Sequence, residues 1–172
     1  MTPASEVAAL RAELERERWA ARHDPLTGAL NRRGLMEVLD ATAPPASLGL
    51  VDLDQFKRFN EESGLMASGD EALCLLVSLL ASGRAGDVVG RWGGDEFVVL
   101  FPDTDPAGAA ARLDRFLDEA RRLLRIGDEI VTFSAGTAGI DEVGGWRVAL
   151  AAANRAVVRA KRAGGDRVLS VP

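Results

Sequence analysis

The chain has 172 residues, 47% of them hydrophobic and 27% charged. That balance excludes intrinsic disorder as the main state and fits one domain with a short extension. Basic side chains number 21 and acidic ones 26, a net charge of −5, which sets aside a general nucleic-acid binder but not a nucleotide held by a few local cations.

Residues 4–22 predict a helix. Val7, Leu10, Leu14 and Ala21 fall at heptad-like positions, Glu17 interrupts the seam, and charged side chains solvate the rest. So short a seam does not specify a coiled coil by itself. It reads equally as the remnant of a dimerising, signalling helix and as a helix packed on its own domain. Residues 1–23 are therefore set apart from a globular domain over 24–172. Asp24-Pro25-Leu26-Thr27-Gly28 is a turn cluster, and a helix from Asn31 to Asp40 stops before Pro44-Pro45. Leu48 to Leu53 reads as a buried strand ending in acid. Helices are expected at Gln55–Glu62 and Asp70–Ser82, with Asp70 as an N-cap or first-turn acid. Val88–Arg91 and Phe97–Phe101 predict two strands joined in a hairpin across Trp92-Gly93-Gly94-Asp95-Glu96. Pro106 to Leu124 has the apolar spacing of an amphipathic helix. Ile130–Ala138 predicts a strand, Trp146–Arg162 a helix and Val168–Val171 a last strand. Strands alternate with helices throughout, so the class is α/β or α+β around one sheet.

One cysteine excludes an internal disulfide framework. Cys74, inside an apolar run, is expected as a buried thiol. No apolar run approaches the ~20 residues of a membrane span, and the charged N-terminus lacks the apolar core of a signal peptide. A reducing, cytoplasmic setting is the expectation.

Two acidic points occur at strand ends: Asp52-Leu53-Asp54, and Gly93-Gly94-Asp95-Glu96 at the hairpin tip. Each alone is more simply a solvated strand end or a tight turn. If the strands are neighbours, the two points converge. Paired carboxylates then need a cation between them, and hard oxygen donors suit Mg²⁺, which is normally completed by water and substrate phosphates. Paired glycines allow a sharp turn and close approach of a ligand. No G-x-x-x-x-G-K-[ST] loop is present, which excludes a P-loop NTPase, and no strand leads into G-x-G-x-x-G. The single His23 excludes histidine-based zinc sites and argues against a Ser–His hydrolase; it is expected to be exposed or to cap the turn.

Arg91-Trp92-Gly93-Gly94-Asp95-Glu96-Phe97 resembles the signature loop of the diguanylate cyclases, the GGDEF family. Asp24-Pro25-Leu26-Thr27-Gly28-Ala29-Leu30-Asn31-Arg32-Arg33 resembles that family's opening motif, and Asp52-Leu53-Asp54-Gln55-Phe56-Lys57-Arg58-Phe59-Asn60 its metal and guanine segment. Gly69-Asp70 and Ala160-Lys161 follow in the family's order, so the likeness covers nearly all of 24–169. It implies a fold like the palm of nucleotidyl cyclases and polymerases. It also implies a reaction in which two GTP condense to cyclic di-GMP with loss of two pyrophosphates. One domain holds one GTP, so a homodimer is implied, in which catalysis is largely positioning.

The resemblance assigns Mg²⁺, with Mn²⁺ as a substitute, to Asp52, Asp95 and the Leu53 carbonyl. It gives proton removal to Asp95 or Glu96, phosphate-charge stabilisation to Lys57 and a triphosphate grip to Lys161. Gly93 and Gly94 would lie against substrate, and Asn60 and Asp70 would read guanine, whose N1–H and 2-amino group offer a carboxylate two donors. For both lysines the plainer reading is a surface charge. Arg84-Ala85-Gly86-Asp87 resembles the family's RxxD inhibitory site for the cyclic product, with Arg115 as a second arginine; an arbitrary R-x-x-D is usually a surface ion pair. The sequence also departs from the family. Its closing motif usually runs from lysine through two residues to Gly-Arg-Asn, whereas Lys161-Arg162-Ala163-Gly164 leads into Gly165-Asp166. Arg162 or Arg167 would have to compensate. Leu65 stands where histidine is common, Glu61 where aspartate is, and Val158 where tyrosine is. The alternative to a cyclase is a GGDEF module that binds GTP or cyclic di-GMP without catalysis.

Overall fold

Ala46–Leu53 has little polarity of its own and forms β1, buried along nearly its whole length. The computed structural model describes residues 3–57, 66–126, 128–141 and 143–171. β1 lies between Glu96–Pro102 and Phe133–Ile140, antiparallel to both. Numbered in chain order with Val88–Gly93 as β2, Arg125–Ile126 as β4, Glu129–Ile130 as β5 and Arg167–Ser170 as β7, these two are β3 and β6. The central sheet has the order β2-β3-β1-β6-β7, and only β6 and β7 run parallel. A strand with neighbours on both edges and helices over both faces reads as a continuous apolar run, which is why β1 was legible.

The helices are α1 (Pro3–Arg22), α2 (Arg32–Asp40), α3 (Met66–Ala81), α4 (Pro106–Leu123) and α5 (Gly145–Arg162). Successive side chains of β1 point to opposite faces. Leu48 and Leu50 join Leu35 and Leu39 of α2 and Trp146, Ala149 and Ala153 of α5. Val51 and Leu53 join Leu73 and Leu76 of α3 and Leu113 and Phe116 of α4. The molecule is thus one sheet between two helical layers, as the alternation of elements predicts. Two helix starts are fixed by side-chain caps: Asn31 accepts from the Gly34 N–H at 2.9 Å, and Asp105 from the Gly108 N–H at 2.7 Å with Pro106 opening α4.

Several expectations are corrected. α3 is already helical at Met66, so Asp70 lies one turn inside it and caps nothing. The strand expected over Ile130–Ala138 is two elements: Ile130 belongs to a two-stranded ribbon of β4 and β5, and β6 begins at Phe133. Gln55 sits at φ +56 as a turn residue, and helical geometry starts at 56; the remainder of the expected helix, including Asn60, lies outside the described residues. Cys74 is half-buried, its thiol donating to the Leu26 carbonyl at 3.3 Å. His23 stacks on Trp19 with ring centroids 4.6 Å apart. α1 does not lie along its own domain. Every residue from Ser5 to Arg22 is exposed, with Leu10 at 61% and Trp19 at 50%.

The packing of α5 on the sheet depends on one missing methyl group. A β-carbon on Gly136 of β6 would lie 2.2 Å from the Ala153 carbonyl oxygen and 2.7 Å from the Ala156 side chain. We predict that Gly136→Ala, by forcing α5 off β6, lowers stability by about 1–3 kcal/mol in denaturant melts. A midpoint equal to that of the parent chain would contradict this account of the layer spacing.

Candidate functional site

The register of β1 on β3 sets Asp52 opposite Glu96. Both side chains share the face of Leu50 and Val98, toward α5. Beyond the last pair, the Leu53 N–H donates to the Asp95 carbonyl at 3.4 Å. The hairpin therefore folds its tip against the end of β1, and Asp52, Asp95 and Glu96 converge within electrostatic reach of one another. The hairpin turn itself is short: Gly93 pairs with Glu96, Gly94 takes φ +49, and the ladder shifts register between Arg91 and Gly93.

Arg91 braces this tip. Its Nε and Nη2 donate to the Gly94 carbonyl at 2.9 and 2.8 Å, and its Nη1 donates to Asp24 Oδ1 at 3.0 Å. Asp24 also accepts from Thr27 N–H and Oγ1 at 2.9 and 2.7 Å. Burial alone would push the Asp24 carboxyl up, but these bonds outweigh it and hold it below the ordinary range. The turn cluster of 24–28 is in this way tied to the hairpin by one guanidinium.

Lys161 approaches from the last turn of α5. Its Nζ donates to Asp52 Oδ1 and to the Leu53 carbonyl, the latter at 3.4 Å. Asp52 itself is pushed up to about 6. Burial is the chief cause, Lys161 opposes it, and the charges of Asp95 and Glu96 add to it. Among the described residues no three carboxylate, imidazole or thiolate side chains form a metal cage. The donor set is instead two or three carboxylates of different elements and the Leu53 carbonyl, with an ammonium group already satisfied by two of those oxygens. That is an oxygen site with cation-accepting chemistry, incomplete without water or phosphate, and it fits Mg²⁺.

The other residues singled out by the sequence are placed as follows. Lys57 is exposed on the first helical turn after β1, Gly93 and Gly94 are exposed at the hairpin tip, and Asp70 is exposed on α3. Asn60 lies outside the described residues. Arg84 and Arg115 line one cavity of about 230 Å³ with Arg112, Phe116 and Glu119. Asp87 does not pair with the Arg84 side chain. It accepts from the Arg84 N–H at 3.0 Å and forms an ion pair with Arg112. Arg112 was missed by the sequence reading. Its signal was its place three residues before Arg115, on the same helix face. Burial lowers its pKa, with the charges of Arg84 and Arg115 adding to that, so three guanidiniums crowd one spot and favour an anion.

One further residue was missed. Asp54, directly after Leu53, accepts from Thr132 Oγ1 at 2.9 Å, Ser134 Oγ at 2.7 Å and the Asp166 N–H at 2.8 Å. It fastens the end of β1 to β6 and to the loop after α5. Gly165 of that loop is buried at φ +73, and a β-carbon there would lie 2.8 Å from Asp54 Oδ1. An arginine at 165 therefore does not fit this arrangement. Arg167 is turned back onto the loop, its Nε donating to the Gly165 carbonyl at 2.9 Å.

Comparison with known proteins gives a consistent picture. A family model described as "Diguanylate cyclase, GGDEF domain" matches residues 21–167. Diguanylate cyclase DgcM of Escherichia coli (strain K12) is 36% identical over 165 residues, which cover 88% of this chain and 38% of that protein. The chain thus spans well under half the length of that relative. The coiled coil and GGDEF domain of DgcB from Caulobacter crescentus, solved in complex with c-di-GMP, superposes with a TM-score of 0.88 at 27% identity, covering 98% of this chain and 95% of that one. Diguanylate cyclase SiaD from Pseudomonas aeruginosa, solved with its activator SiaC, gives a TM-score of 0.81 at 31% identity, covering 98% and 70%. The expected palm-like fold is the one these neighbours share.

The raised pKa of Asp52 has a definite sign. The folded state holds its proton up to about 6, whereas the unfolded chain releases it near 3.8. Stability is therefore lost as pH rises through that window, and above it the ionised, half-buried carboxylate carries its full cost. We predict that Asp52→Asn raises the melting temperature in metal-free buffer at pH 7 and that this gain disappears by pH 4. A gain that is equal at both pH values, or absent at pH 7, would refute the assignment.

Proposed function

The chain belongs to the diguanylate cyclase GGDEF-domain family, and we propose that it condenses two GTP into cyclic di-GMP. The observation that carries this reading is the convergence of Asp52, the Leu53 carbonyl, Asp95, Glu96 and Lys161 at one end of the β1–β3 pair. In each half-reaction the 3′-hydroxyl oxygen of one nucleotide attacks the α-phosphorus of the other. A P–O bond forms, the bond to pyrophosphate breaks, and the hydroxyl proton passes to Asp95 or Glu96. Asp52, Asp95 and the Leu53 carbonyl would hold Mg²⁺ or Mn²⁺. When bound, the ion supplies charge neutralisation at phosphate and a more acidic hydroxyl. Lys161, on a half-exposed stem, grips the triphosphate, and Lys57 faces the phosphates from the start of the following helix. Asp70, with Asn60, reads the guanine edge. Gly93 and Gly94 leave the hairpin tip open to the nucleotide.

One domain of this size presents one such site, so the reaction requires two copies face to face. α1 supports that assembly. It carries Val7, Leu10 and Leu14 exposed, an apolar stripe not covered by its own domain. We assign residues 1–23 to a dimerising helix and 24–172 to the catalytic domain. No helix among the described residues is long and apolar enough to cross a membrane, and we place the reaction in the cytoplasm. The cavity of Arg84, Arg112 and Arg115 would take the anionic product as an inhibitor. Arg112 organises Asp87 there, in addition to the RxxD residues themselves.

A second reading is a GGDEF module that binds GTP or cyclic di-GMP without turning over. Gly165 favours it, because the chain has no phosphate-binding arginine at that position, where a side chain would press on the Asp54 carboxylate. Incubation with GTP and Mg²⁺ and chromatography of the products separates the two. We expect cyclic di-GMP from the parent chain and at least a hundredfold less from Asp95→Asn, a loss of the size seen when an electrostatic group of an active site is removed. GTP bound but unconverted at high protein concentration would establish the second reading. For the arginine cavity, Arg84→Ala and Arg112→Ala should each weaken cyclic di-GMP binding by about tenfold in calorimetry, the worth of one charge-assisted hydrogen bond, and should relieve product inhibition. An unchanged affinity in both variants would remove the inhibitory assignment.

A further inference from the structure

Three consecutive residues after α5 have positive φ: Gly164 at +107, Gly165 at +73 and Asp166 at +53. Glycine takes this geometry freely, but for aspartate it is sparsely populated and persists where the surroundings over-determine it. Arg121, near the end of α4, supplies that restraint. Its Nε donates to Asp166 Oδ1 at 3.0 Å and Oδ2 at 3.2 Å, and its Nη2 donates to the Asp166 carbonyl at 3.1 Å. Its Nη1 is held by Asp118 Oδ1 at 2.6 Å. From the other side, the Asp166 N–H is taken by Asp54.

This loop is the joint between two parts of the site. On one side it terminates α5 directly behind Lys161: the Gly164 N–H donates to the Lys161 carbonyl at 3.1 Å, and the Gly165 N–H to the Ala160 carbonyl at 3.0 Å. On the other side Asp54 is continuous with Leu53 and Asp52. The 163–166 loop therefore joins the end of α5 that carries Lys161 to the strand end that carries Asp52 and the Leu53 carbonyl. The guanidinium fork grips both the side chain and the carbonyl of Asp166, a geometry lysine does not reproduce. An ion pair this exposed (the side chains are 40% and 43% accessible) adds little to stability on its own. Its three-point geometry, on a left-handed residue beside the site, gives it a different role.

We propose that Arg121 is a positioning residue for the phosphate-binding end of the site. It touches no substrate; it clamps Asp166 and so fixes Lys161 against the strand end that carries Asp52. This rests on the reading of the site as one for a guanosine triphosphate.

The test is calorimetric titration, with Mg²⁺ present, of a GTP analogue whose α,β-bridging oxygen is replaced by methylene. The full chain, Arg121→Ala, Arg121→Lys, Asp166→Ala and the Arg121→Ala/Asp166→Ala double variant are compared, with melting temperatures and hydrogen exchange at the Asp166 amide measured in parallel. Arg121→Ala should weaken nucleotide binding by about tenfold, the scale of losing a supporting residue behind a ligand, and should speed exchange at the Asp166 amide. Arg121→Lys, which keeps the charge and the fold but not the fork, should fall between. The double variant should bind no more weakly than the weaker single variant, because both act through one contact. Nucleotide affinity unchanged in Arg121→Ala and Arg121→Lys, whatever happens to the melting temperature, overturns the positioning role and leaves the site intact. Losses that add in the double variant overturn the shared route. If the unaltered chain binds no analogue, the guanosine triphosphate reading falls, and this role falls with it.

Discussion

The register of β1 against β3 governs everything at the site. Asp52 faces Glu96 because Val51 faces Phe97 and Leu50 faces Val98. Side chains alternate along a strand, so a slip of one residue would send the apolar set of β1 to the wrong helical layer and turn Asp52 away from Lys161. The core therefore chooses the register, and the acid-tipped end inherits it. Val51, Leu53 and Phe97 on one face and Leu48, Leu50 and Val98 on the other are all nearly inaccessible. No polar contact at the site is needed to set the alignment. What the polar residues add is the last few ångströms, where the hairpin passes beyond the ladder and Arg91 ties Gly94 to Asp24.

The same arrangement concentrates electrostatic cost. Asp52 is withdrawn from water beside two other carboxylates, and Lys161 offsets only part of that. Sites that must accept a cation are commonly places where the fold gives up stability. Among the described residues no buried side-chain polar atom lacks a partner, and like charges also crowd at Arg112, beside Arg84 and Arg115, and at Asp114, beside Asp118. At the strand end a bound cation would relieve the tension on Asp52.

Much of this was legible in the sequence, for physical reasons that differ by element. β1, the β2–β3 hairpin, α4 and α5 follow from apolar runs, paired glycines and helical spacing, which are local signals. The meeting of Asp52 with Asp95 was inferred from two acid-tipped strand ends, and only the pairing of β1 with β3 makes it geometry. What escaped depends on contacts between residues far apart in the chain. Asp54 finds Thr132 and Ser134, Arg121 finds Asp166, and Arg112 finds Asp87, and nothing in the spacing of those residues forecasts them. The β4–β5 ribbon was merged with β6 because Ile130 and Val131 continue the apolar pattern across a break in the backbone. Asp70 was given a cap it does not make, because the residues that carry the helix back to Met66 include a serine and a glycine, which read as a start.

Gly165 departs from the family pattern as one member of an arrangement of several residues. A side chain there would require the Asp54 carboxylate, which sits 2.8 Å from where the first side-chain carbon would lie, to shift. Moving Asp54 would release Thr132, Ser134 and the Asp166 N–H together, leaving the backbone ladder alone to hold the strand end on β6. Glycine at 165, aspartate at 166 and Arg121 on α4 thus form one arrangement. The left-handed backbone favours the glycine, the glycine admits the close approach of Asp54, and the aspartate accepts from Arg121. α4 also carries Arg112 and Arg115 of the arginine-lined cavity, on the same helix as Arg121. The departure at 165 is therefore not an isolated loss of one cation: it is the visible part of a loop held from a different helix.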